Sequence, residues 1–170
     1  PQRNGEPLGA TEFCNMDAAY ADLPEELKAS LEGMSITHDF AKFWDKMRRE
    51  KGSTRPPLTD AQRQAKPPVS HPVFLTHPIT KRKVLYANPG YSVRINELPI
   101  EESERMLAFL FAHQLQPKYQ YRHRWRVRDV LMWDNIGTLH KALADYLPDE
   151  HRYIKRCQVM ANRYFENATA

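Results

Sequence analysis

The sequence predicts a mainly β fold with added helices, an α+β sandwich or barrel rather than a doubly wound α/β fold. Short strand-like runs recur along the chain and few segments have helical periodicity, which is the pattern of antiparallel sheets decorated by helices. The chain has six glycines, none of them in a GxGxxG or GxxxxGK pattern, so it lacks the phosphate loops of nucleotide-binding proteins. Its 170 residues are 41% hydrophobic and 27% charged, which predicts one globular domain over residues 1–170.

The first predicted elements are an extended segment and a helix. Residues 9–13, GATEF, form a short turn that leads into an extended piece. Residues 15–31 have apolar residues at helical spacing, and Pro24 is expected to break this helix. Asp22 and Glu25 stand three residues apart, which is the spacing of a capping box.

Residues 46–72 are predicted to form a mobile, proline-rich loop. The segment contains two Pro-Pro pairs and few large apolar residues, so it cannot bury enough surface to hold a fixed place in a core. Long loops of this kind often cover functional sites. A lid near a site and a tolerated insertion are equally consistent with this composition.

The second half of the chain is predicted to be rich in strands. Residues 73–77 and 83–87 form two strands joined by a hairpin turn, and residues 88–90 form a further turn. Residues 101–114 form an amphipathic helix with acidic residues in its first turn. Further strands are predicted at residues 118–127, 130–133 and 153–160.

The net charge of +4 is modest and does not by itself indicate a nucleic-acid partner. Basic residues are densest at residues 122–128, RHRWRVR, where arginines alternate with aromatic and apolar residues. This alternation predicts a half-buried strand whose arginines face solvent. Such a row could also stack bases and hold phosphates, which would make binding steeply salt-dependent. Because a solvated strand face explains the row without a partner, no nucleic acid is expected.

Neither membrane insertion nor secretion is expected. No run approaches the roughly 18 apolar residues of a membrane span. The start, PQRNGEPLGATEF, has no signal-peptide pattern and no initiator methionine, as though it were cut from a longer chain. Cys14 and Cys157 lie far apart, match no zinc or CxxC spacing, and are expected to be reduced thiols of a cytoplasmic protein.

Residues 133–156 carry the side chains best suited to a functional site. His140 follows a strand-like apolar run, and Arg152 and Arg156 stand four residues apart beyond it. A metal site that must admit two substrates uses few protein ligands, and nearby cations hold anionic substrates in place. A lone histidine is more often a hydrogen-bonded structural residue, so His140 by itself leaves both roles open.

Five further segments cover most of the remaining chain: GATEFCNMDAAYADLP, LEGMSITHDF, HPVFLTHPITKRKVLYANPGYSVRI, ESERMLAFLFAH and YQYRHRWRVRDVLMWDN. Together with His140 and the two arginines, these segments resemble, in the same order, the iron(II)- and 2-oxoglutarate-dependent dioxygenases of the taurine and aryloxyacetate dioxygenase family. The resemblance implies a double-stranded β-helix, or jelly roll. It also implies Fe(2+) held by two histidines and one carboxylate, with 2-oxoglutarate and O2 as co-substrates.

By this resemblance, His140 corresponds to the distal iron ligand. Arg152 corresponds to the arginine that pairs with the far carboxylate of 2-oxoglutarate, and Thr11 corresponds to the hydroxyl that bonds the same carboxylate. A bidentate arginine beside a hydroxyl suits a buried dicarboxylate, since an unpaired charge there would be costly.

The resemblance also implies where the prime substrate binds. Arg156 corresponds to the arginine that receives a sulfonate or carboxylate, and Trp44 and Tyr91 correspond to aromatic walls of the substrate pocket. The taurine enzymes have phenylalanine at both wall positions, so the larger, partly polar walls here argue against taurine itself. The expected function is hydroxylation of a small anionic organic substrate with release of succinate and CO2. Whether the protein is a homo-oligomer is left open.

One motif of the family has no counterpart in this sequence. A His-x-Asp or His-x-Glu motif should precede Thr11, but none of the seven histidines is followed two residues later by a carboxylate. The chain is therefore expected to be the C-terminal portion of a dioxygenase, an N-terminally incomplete jelly roll that is inactive alone. The alternative is a non-catalytic jelly roll, or an inactive remnant, that binds anions without iron.

Overall fold

The computed structural model describes residues 1–50, 53–147 and 149–159, which form helices and short strands in antiparallel sheets. The elements in chain order are β1 (Gln2–Arg3), β2 (Glu6–Pro7), β3 (Thr11–Asn15), α1 (Met16–Ala21), α2 (Glu25–Leu31), β4 (Ser35–His38), α3 (Phe40–Arg49), α4 (Asp60–Gln64), β5 (Val69–Pro72), β6 (Phe74–Thr76), β7 (Lys83–Leu85), β8 (Ser92–Ile95), α5 (Ile100–Gln114), the 3-10 helix η1 (Pro117–Tyr119), β9 (Gln120–His123) and β10 (Thr138–Ala142). The mixture of antiparallel sheets and helices agrees with the predicted class.

Strand β3 is the centre of the sheet that carries the candidate site. It pairs antiparallel with β10 on one side and with β9 on the other. Residues directly opposite each other in such a sheet point to the same face. One face therefore presents Thr11, Phe13, Tyr121, His123 and His140, and the opposite face presents Cys14 and Leu139.

The face of Cys14 and Leu139 belongs to the main hydrophobic core. The Cys14 thiol is buried and donates to the carbonyl of Gln114 in α5 at 2.8 Å. Burial raises the pKa of Cys14 to about 11, so the thiol stays protonated. Helices α1 and α5 are joined by a 2.8 Å hydrogen bond from His113 Nε2 to the carbonyl of Ala19. The two helices thus pack against this face of the sheet, and the opposite face, which carries His140, remains available for other contacts.

A second sheet places β4 between β5 and β8. Ile36 lies opposite His71 on one side and opposite Ile95 on the other, so the three side chains share a face. Ile36 and Ile95 are fully buried, which makes this the core-facing side. His38, two residues after Ile36, points to the same side. Two histidines therefore face the interior of the protein.

The hairpin and the long helix of the second half are confirmed. Strands β6 and β7 pair antiparallel, and the amide of His77 donates to the carbonyl of Arg82 at 2.8 Å to close the turn. Residues 88–90 form a turn in which the amide of Gly90 donates to the Asn88 side chain. Helix α5 covers the predicted range and begins one residue earlier.

The helix predicted at residues 15–31 is broken at Pro24, as expected, but the predicted capping box is wrong. Pro24 is the N-cap of α2 and makes no side-chain cap bond. The carboxylate of Asp22 instead accepts hydrogen bonds from Lys118 and Tyr119, at 2.6 and 2.9 Å. The carboxylate of Asp22 is thus bound by residues that lie far from it in the sequence. No helix in the described ranges combines the length and the apolar character needed to cross a membrane.

The segment 46–72 has more local structure than its composition predicted. It contains the end of α3, the helix α4 and the strand β5, which pairs with β4. Helix α4 begins with a capping box, because Thr59 and Gln62 each bond the backbone amide of the other. Leu58 is buried and anchors the segment. The mobility of the segment stays a prediction.

Three predicted strands are corrected. The strand at residues 118–127 is confined to β9, which ends at His123, and beyond it Arg128 adopts a φ of +77° in a turn. Residues 130–133 and the described residues 153–159 are not strands. Strand β10, which the sequence analysis did not predict, pairs with β3. In the basic row, Arg122 and Arg124 form ion pairs with Glu12 and Glu6.

Candidate functional site

His140 lies on β10 within a group of aromatic rings. Its ring centroid is 5.2 Å from that of Trp133 and 6.3 Å from that of Phe13. Partial burial against these neighbours lowers the pKa of His140, and the positive charge of Arg156 lowers it further. The imidazole is therefore neutral at pH 7 and keeps a lone pair, which is the form that binds metal ions. Arg156 is exposed and lies close enough to act on His140 electrostatically.

Thr11 occupies the same face of the sheet, at the start of β3. The residue is only 5% exposed. Its Oγ1 accepts a hydrogen bond from Trp125 Nε1 at 2.9 Å. A threonine hydroxyl has one proton to donate and two acceptor positions, so the bond from Trp125 leaves the hydroxyl proton for another acceptor.

Arg152 lies against the turn that precedes β3. Its Nε donates to the carbonyl of Gly9 at 2.9 Å. Gly9 has a φ of +69°, and a Cβ built there would lie 2.5 Å from Arg152 Cδ, so only glycine allows this close approach. The amide of Gly9 donates to Asp145 Oδ1 at 2.7 Å. Among the described residues neither Nη atom of Arg152 has a hydrogen-bond partner, so the guanidinium keeps donors for a carboxylate.

The two predicted aromatic walls are linked only indirectly, through the rings of Phe43 and Phe40. Tyr91 stacks on Phe43 at 5.0 Å between centroids. Trp44, the next residue on α3, donates from Nε1 to the carbonyl of Pro56 at 2.8 Å and lies under the guanidinium of Arg55. Tyr91 lines a cavity and Trp44 does not. Burial raises the pKa of Tyr91.

The cavity has a volume of about 260 Å³ and lies between the second sheet and the start of β10. Its polar lining includes His38, His71, Tyr86 and Tyr91, and among the residues that the structure describes no Asp, Glu, Lys or Arg lines it. Both ring nitrogens of His38 are buried, and neither has a hydrogen-bond partner in the described part of the chain. These histidines were not predicted as site residues. The alternation of Ile36 and His38 along a strand would have been the signal for an inward-facing histidine.

His77 and Asp134 fasten the segment that leads into β10. His77 is 6% exposed, and its Nδ1 accepts from the amides of Ile79 and Thr80, each at 3.1 Å. Its Nε2 therefore carries the proton and donates to Asp134 Oδ2 at 2.8 Å. The carboxylate of Asp134 also accepts from the amides two and three residues later, at 2.9 and 2.7 Å. The hairpin thereby fixes where β10 begins, two strand positions before His140.

The described residues supply one candidate iron ligand. His140 is neutral and accessible, as a ligand must be. In the described part of the chain no three His, Cys, Asp or Glu side chains are grouped as a metal site. His140 alone does not make a metal centre. Thr11 and Arg152 each keep hydrogen-bond donors of the kind that bind carboxylates.

Comparison with solved structures identifies the fold. The chain is similar to a taurine dioxygenase from Burkholderia xenovorans, with a TM-score of 0.62 and 28% identity over 81% of this chain and 42% of that one. It is also similar to AAD-2 in complex with Mn(II) and N-oxalylglycine, with a TM-score of 0.68 and 33% identity over 80% of this chain and 51% of that one. The fold is therefore the jelly roll of these dioxygenases, as predicted.

The chain belongs to the Taurine catabolism dioxygenase TauD, TfdA family, whose model matches residues 1–158. It is 38% identical over 155 residues to the alpha-ketoglutarate-dependent 2,4-dichlorophenoxyacetate dioxygenase of Burkholderia sp. strain RASC, covering 91% of this chain and 50% of that protein. It is 30% identical over 165 residues to the alpha-ketoglutarate-dependent sulfonate dioxygenase of Saccharomyces cerevisiae, covering 94% of this chain and 37% of that protein. The chain thus spans half or less of the length of these relatives.

Proposed function

We propose that the protein is an iron(II)- and 2-oxoglutarate-dependent dioxygenase that hydroxylates a small anionic substrate, a sulfonate or a carboxylate, with release of succinate and CO2. The observation that carries the proposal is a set of hydrogen-bond donors at the start of β3, which we call the carboxylate cradle. There the Thr11 hydroxyl, on the sheet that also carries His140, and the Arg152 guanidinium, beside the turn that precedes β3, each keep donors that have no partner among the described residues. Relatives named as acting on 2,4-dichlorophenoxyacetate and on sulfonates support this substrate class.

In this proposal Arg152 and Thr11 hold the far carboxylate of 2-oxoglutarate. The bond from Nε to the carbonyl of Gly9 fixes the plane of the guanidinium, so that its Nη atoms can donate in parallel to two carboxylate oxygens. The hydroxyl of Thr11 donates a third hydrogen bond. The low exposure of Thr11 keeps water away from this pairing and strengthens it.

His140 is proposed as an iron ligand, and Arg156 as the cation that holds the acidic group of the prime substrate. The iron, when bound, would supply the oxygen chemistry. Arg156 acts on His140 electrostatically, so an anion bound to Arg156 would be held near the metal. Tyr91 and Trp44 are proposed as walls for the uncharged part of the substrate.

Binding of N-oxalylglycine in the presence of Mn(II) tests the cradle by calorimetry. Arg152→Ala should weaken binding roughly 10- to 100-fold, because a charge-assisted hydrogen bond contributes about 1.5–3 kcal/mol. Arg122→Ala is the matched control, since Arg122 pairs with Glu12 on the opposite face of the same sheet. Equal affinity of the Arg152→Ala variant and the unaltered protein would show that another cation holds the carboxylate.

Succinate release with different substrates tests the role of Arg156. A form of the protein that carries all the iron ligands should turn over sulfonates and aryloxyacetates, and neutral analogues should be poor substrates. Arg156→Ala should lose turnover of the anions while N-oxalylglycine still binds. Better turnover of the neutral compounds would contradict the proposed substrate class.

A second candidate function is a non-catalytic jelly roll that binds dicarboxylates. The supporting observation is that the described residues provide a cradle for a carboxylate but only one candidate metal ligand. This function predicts that N-oxalylglycine binds equally well with and without Mn(II), and that no succinate forms from 2-oxoglutarate.

A further inference from the structure

A series of side-chain contacts leads from the turn after β9 to the hydroxyl of Thr11. Asp129 Oδ2 accepts from the backbone amide of Arg126 at 2.9 Å and from His123 Nε2 at 3.0 Å. The ring of His123 meets the indole of Trp125 edge-on, with centroids 4.7 Å apart and an interplanar angle of 87°. Trp125 Nε1 donates to Thr11 Oγ1 at 2.9 Å. His123 also lies directly opposite Thr11 in the sheet, so His123, Trp125 and Thr11 form a closed ring of contacts.

These contacts hold the indole in place although Trp125 lies outside the strand. Strand β9 ends at His123, so no ladder hydrogen bond fixes the backbone at Trp125. The carboxylate of Asp129 substitutes for the ladder, because it joins the last residue of the strand to the amide just after the indole. The orientation of Trp125 is therefore set by side chains, in a place where the sheet no longer sets it.

The indole controls which way the Thr11 hydroxyl points. An indole N–H can only donate, so at Oγ1 it occupies one of the two acceptor positions. The hydroxyl proton must then point away from Trp125 and is offered to another acceptor. A hydroxyl with no such neighbour can rotate and present its lone pairs, which repel a carboxylate. Because Thr11 is almost fully buried, water cannot take over this role easily.

We propose that Trp125 is a positioning residue for 2-oxoglutarate, which it serves by holding the Thr11 hydroxyl as a donor toward the co-substrate carboxylate. This inference rests on the proposed function. Trp125 acts through Thr11 and needs no contact with the co-substrate. Removal of the Trp125 indole should therefore weaken co-substrate binding only while the hydroxyl of Thr11 is present.

A double-mutant cycle on N-oxalylglycine affinity tests the inference, with Mn(II) present throughout. Trp125→Phe keeps most of the ring and removes the donor, and should weaken binding about 2- to 10-fold, the effect of one hydrogen bond. Thr11→Val should weaken binding at least as much. The double variant should bind no more weakly than Thr11→Val. Additive losses would mean that Trp125 supports the fold in general, and would overturn the inference.

Tyr119→Phe is the matched control, because it also removes one hydrogen-bond donor from an aromatic side chain, here the hydroxyl that donates to Asp22. It should leave the affinity for N-oxalylglycine unchanged. Thr11→Ser should retain most of the affinity, because the hydroxyl is kept. An equal loss in Tyr119→Phe and Trp125→Phe would also overturn the inference.

A second measurement covers the case in which Trp125→Phe folds poorly. The indole N–H signal of Trp125 in a 15N-labelled protein should shift when N-oxalylglycine is added, and should shift much less in the Thr11→Val variant. An unmoved signal at saturation would overturn the inference. Failure of N-oxalylglycine to bind the unaltered protein would remove the proposed function together with this inference. Equal binding by the unaltered protein and Trp125→Phe would remove this inference alone.

Discussion

The buried imidazole of His38 should make the stability of the protein depend on pH. Burial lowers the pKa of His38 to about 4, and the neighbouring charge of His71 contributes in the same direction. The carbonyls of Ile36 and Tyr86 oppose this shift, although neither meets hydrogen-bond geometry with the ring. The folded state therefore holds His38 neutral under conditions in which an exposed histidine would be charged.

The sign and size of the effect follow from linkage. In the unfolded chain His38 should have an ordinary pKa near 6.5, so between pH 6.5 and pH 4 the unfolded state binds more protons than the folded state. Stability is therefore lost as the pH falls through this window, at about 1.4 kcal/mol per pH unit. From pH 7 to pH 5 the loss due to His38 is roughly 2 kcal/mol.

Urea unfolding at pH 7 and pH 5 measures this loss. His38→Leu removes the titrating group and the unpartnered nitrogens, so its stability at pH 7 should be similar or higher. Between the two pH values the unaltered protein should lose about 2 kcal/mol more than His38→Leu. Ile36→Val, a change on the same sheet face without a titrating group, should cost about 1 kcal/mol at both pH values. An equal pH dependence for His38→Leu and the unaltered protein would refute the reasoning.

Two further substitutions test the support of the site. Gly9→Ala should displace Arg152 and weaken N-oxalylglycine binding at least about 10-fold in calorimetry. Gly33→Ala is the control, because Gly33 has the same positive φ but open surroundings. This control should cost only about 1 kcal/mol of stability. Unchanged affinity in Gly9→Ala would show that the position of Arg152 is not critical. Asp134→Ala removes the acceptor of three hydrogen bonds. It should lower the free energy of unfolding by roughly 1–3 kcal/mol in urea titrations. A loss below about 0.5 kcal/mol would mean that the turn before β10 is stable without these bonds.

Elements stabilised by near neighbours could be predicted from the sequence. The β6–β7 hairpin and helix α5 are of this kind, because their hydrogen bonds join residues close in the chain. Strand β10 could not be predicted in this way, since its partner β3 lies at the other end of the chain. Residues 130–133 have strand-like composition but no partner strand, and Val130 is 95% exposed.

The candidate site shows the same limit. Thr11 and Arg152 have no local pattern that distinguishes them, and they were singled out only by resemblance to a family. The pair His38 and His71 was missed because its meaning depends on which side of β4 and β5 faces the core. Which side of these strands faces the core can be determined only when the pairing of the strands is known. Trp125 was placed in a strand, and the structure shows that it lies beyond the end of one.

The carboxylate cradle joins segments that are very distant in the chain. Arg152 contacts a carbonyl 143 residues earlier, and Asp145 contacts an amide 136 residues earlier. Closing loops of that length costs conformational entropy before any contact is gained, so we infer that the cradle forms late in folding, after the hairpin and α5. An anion that binds only the finished cradle would then have little effect on the rate of folding and would chiefly slow unfolding. A bound dicarboxylate would thus protect the protein kinetically, by keeping the two distant segments of its chain together.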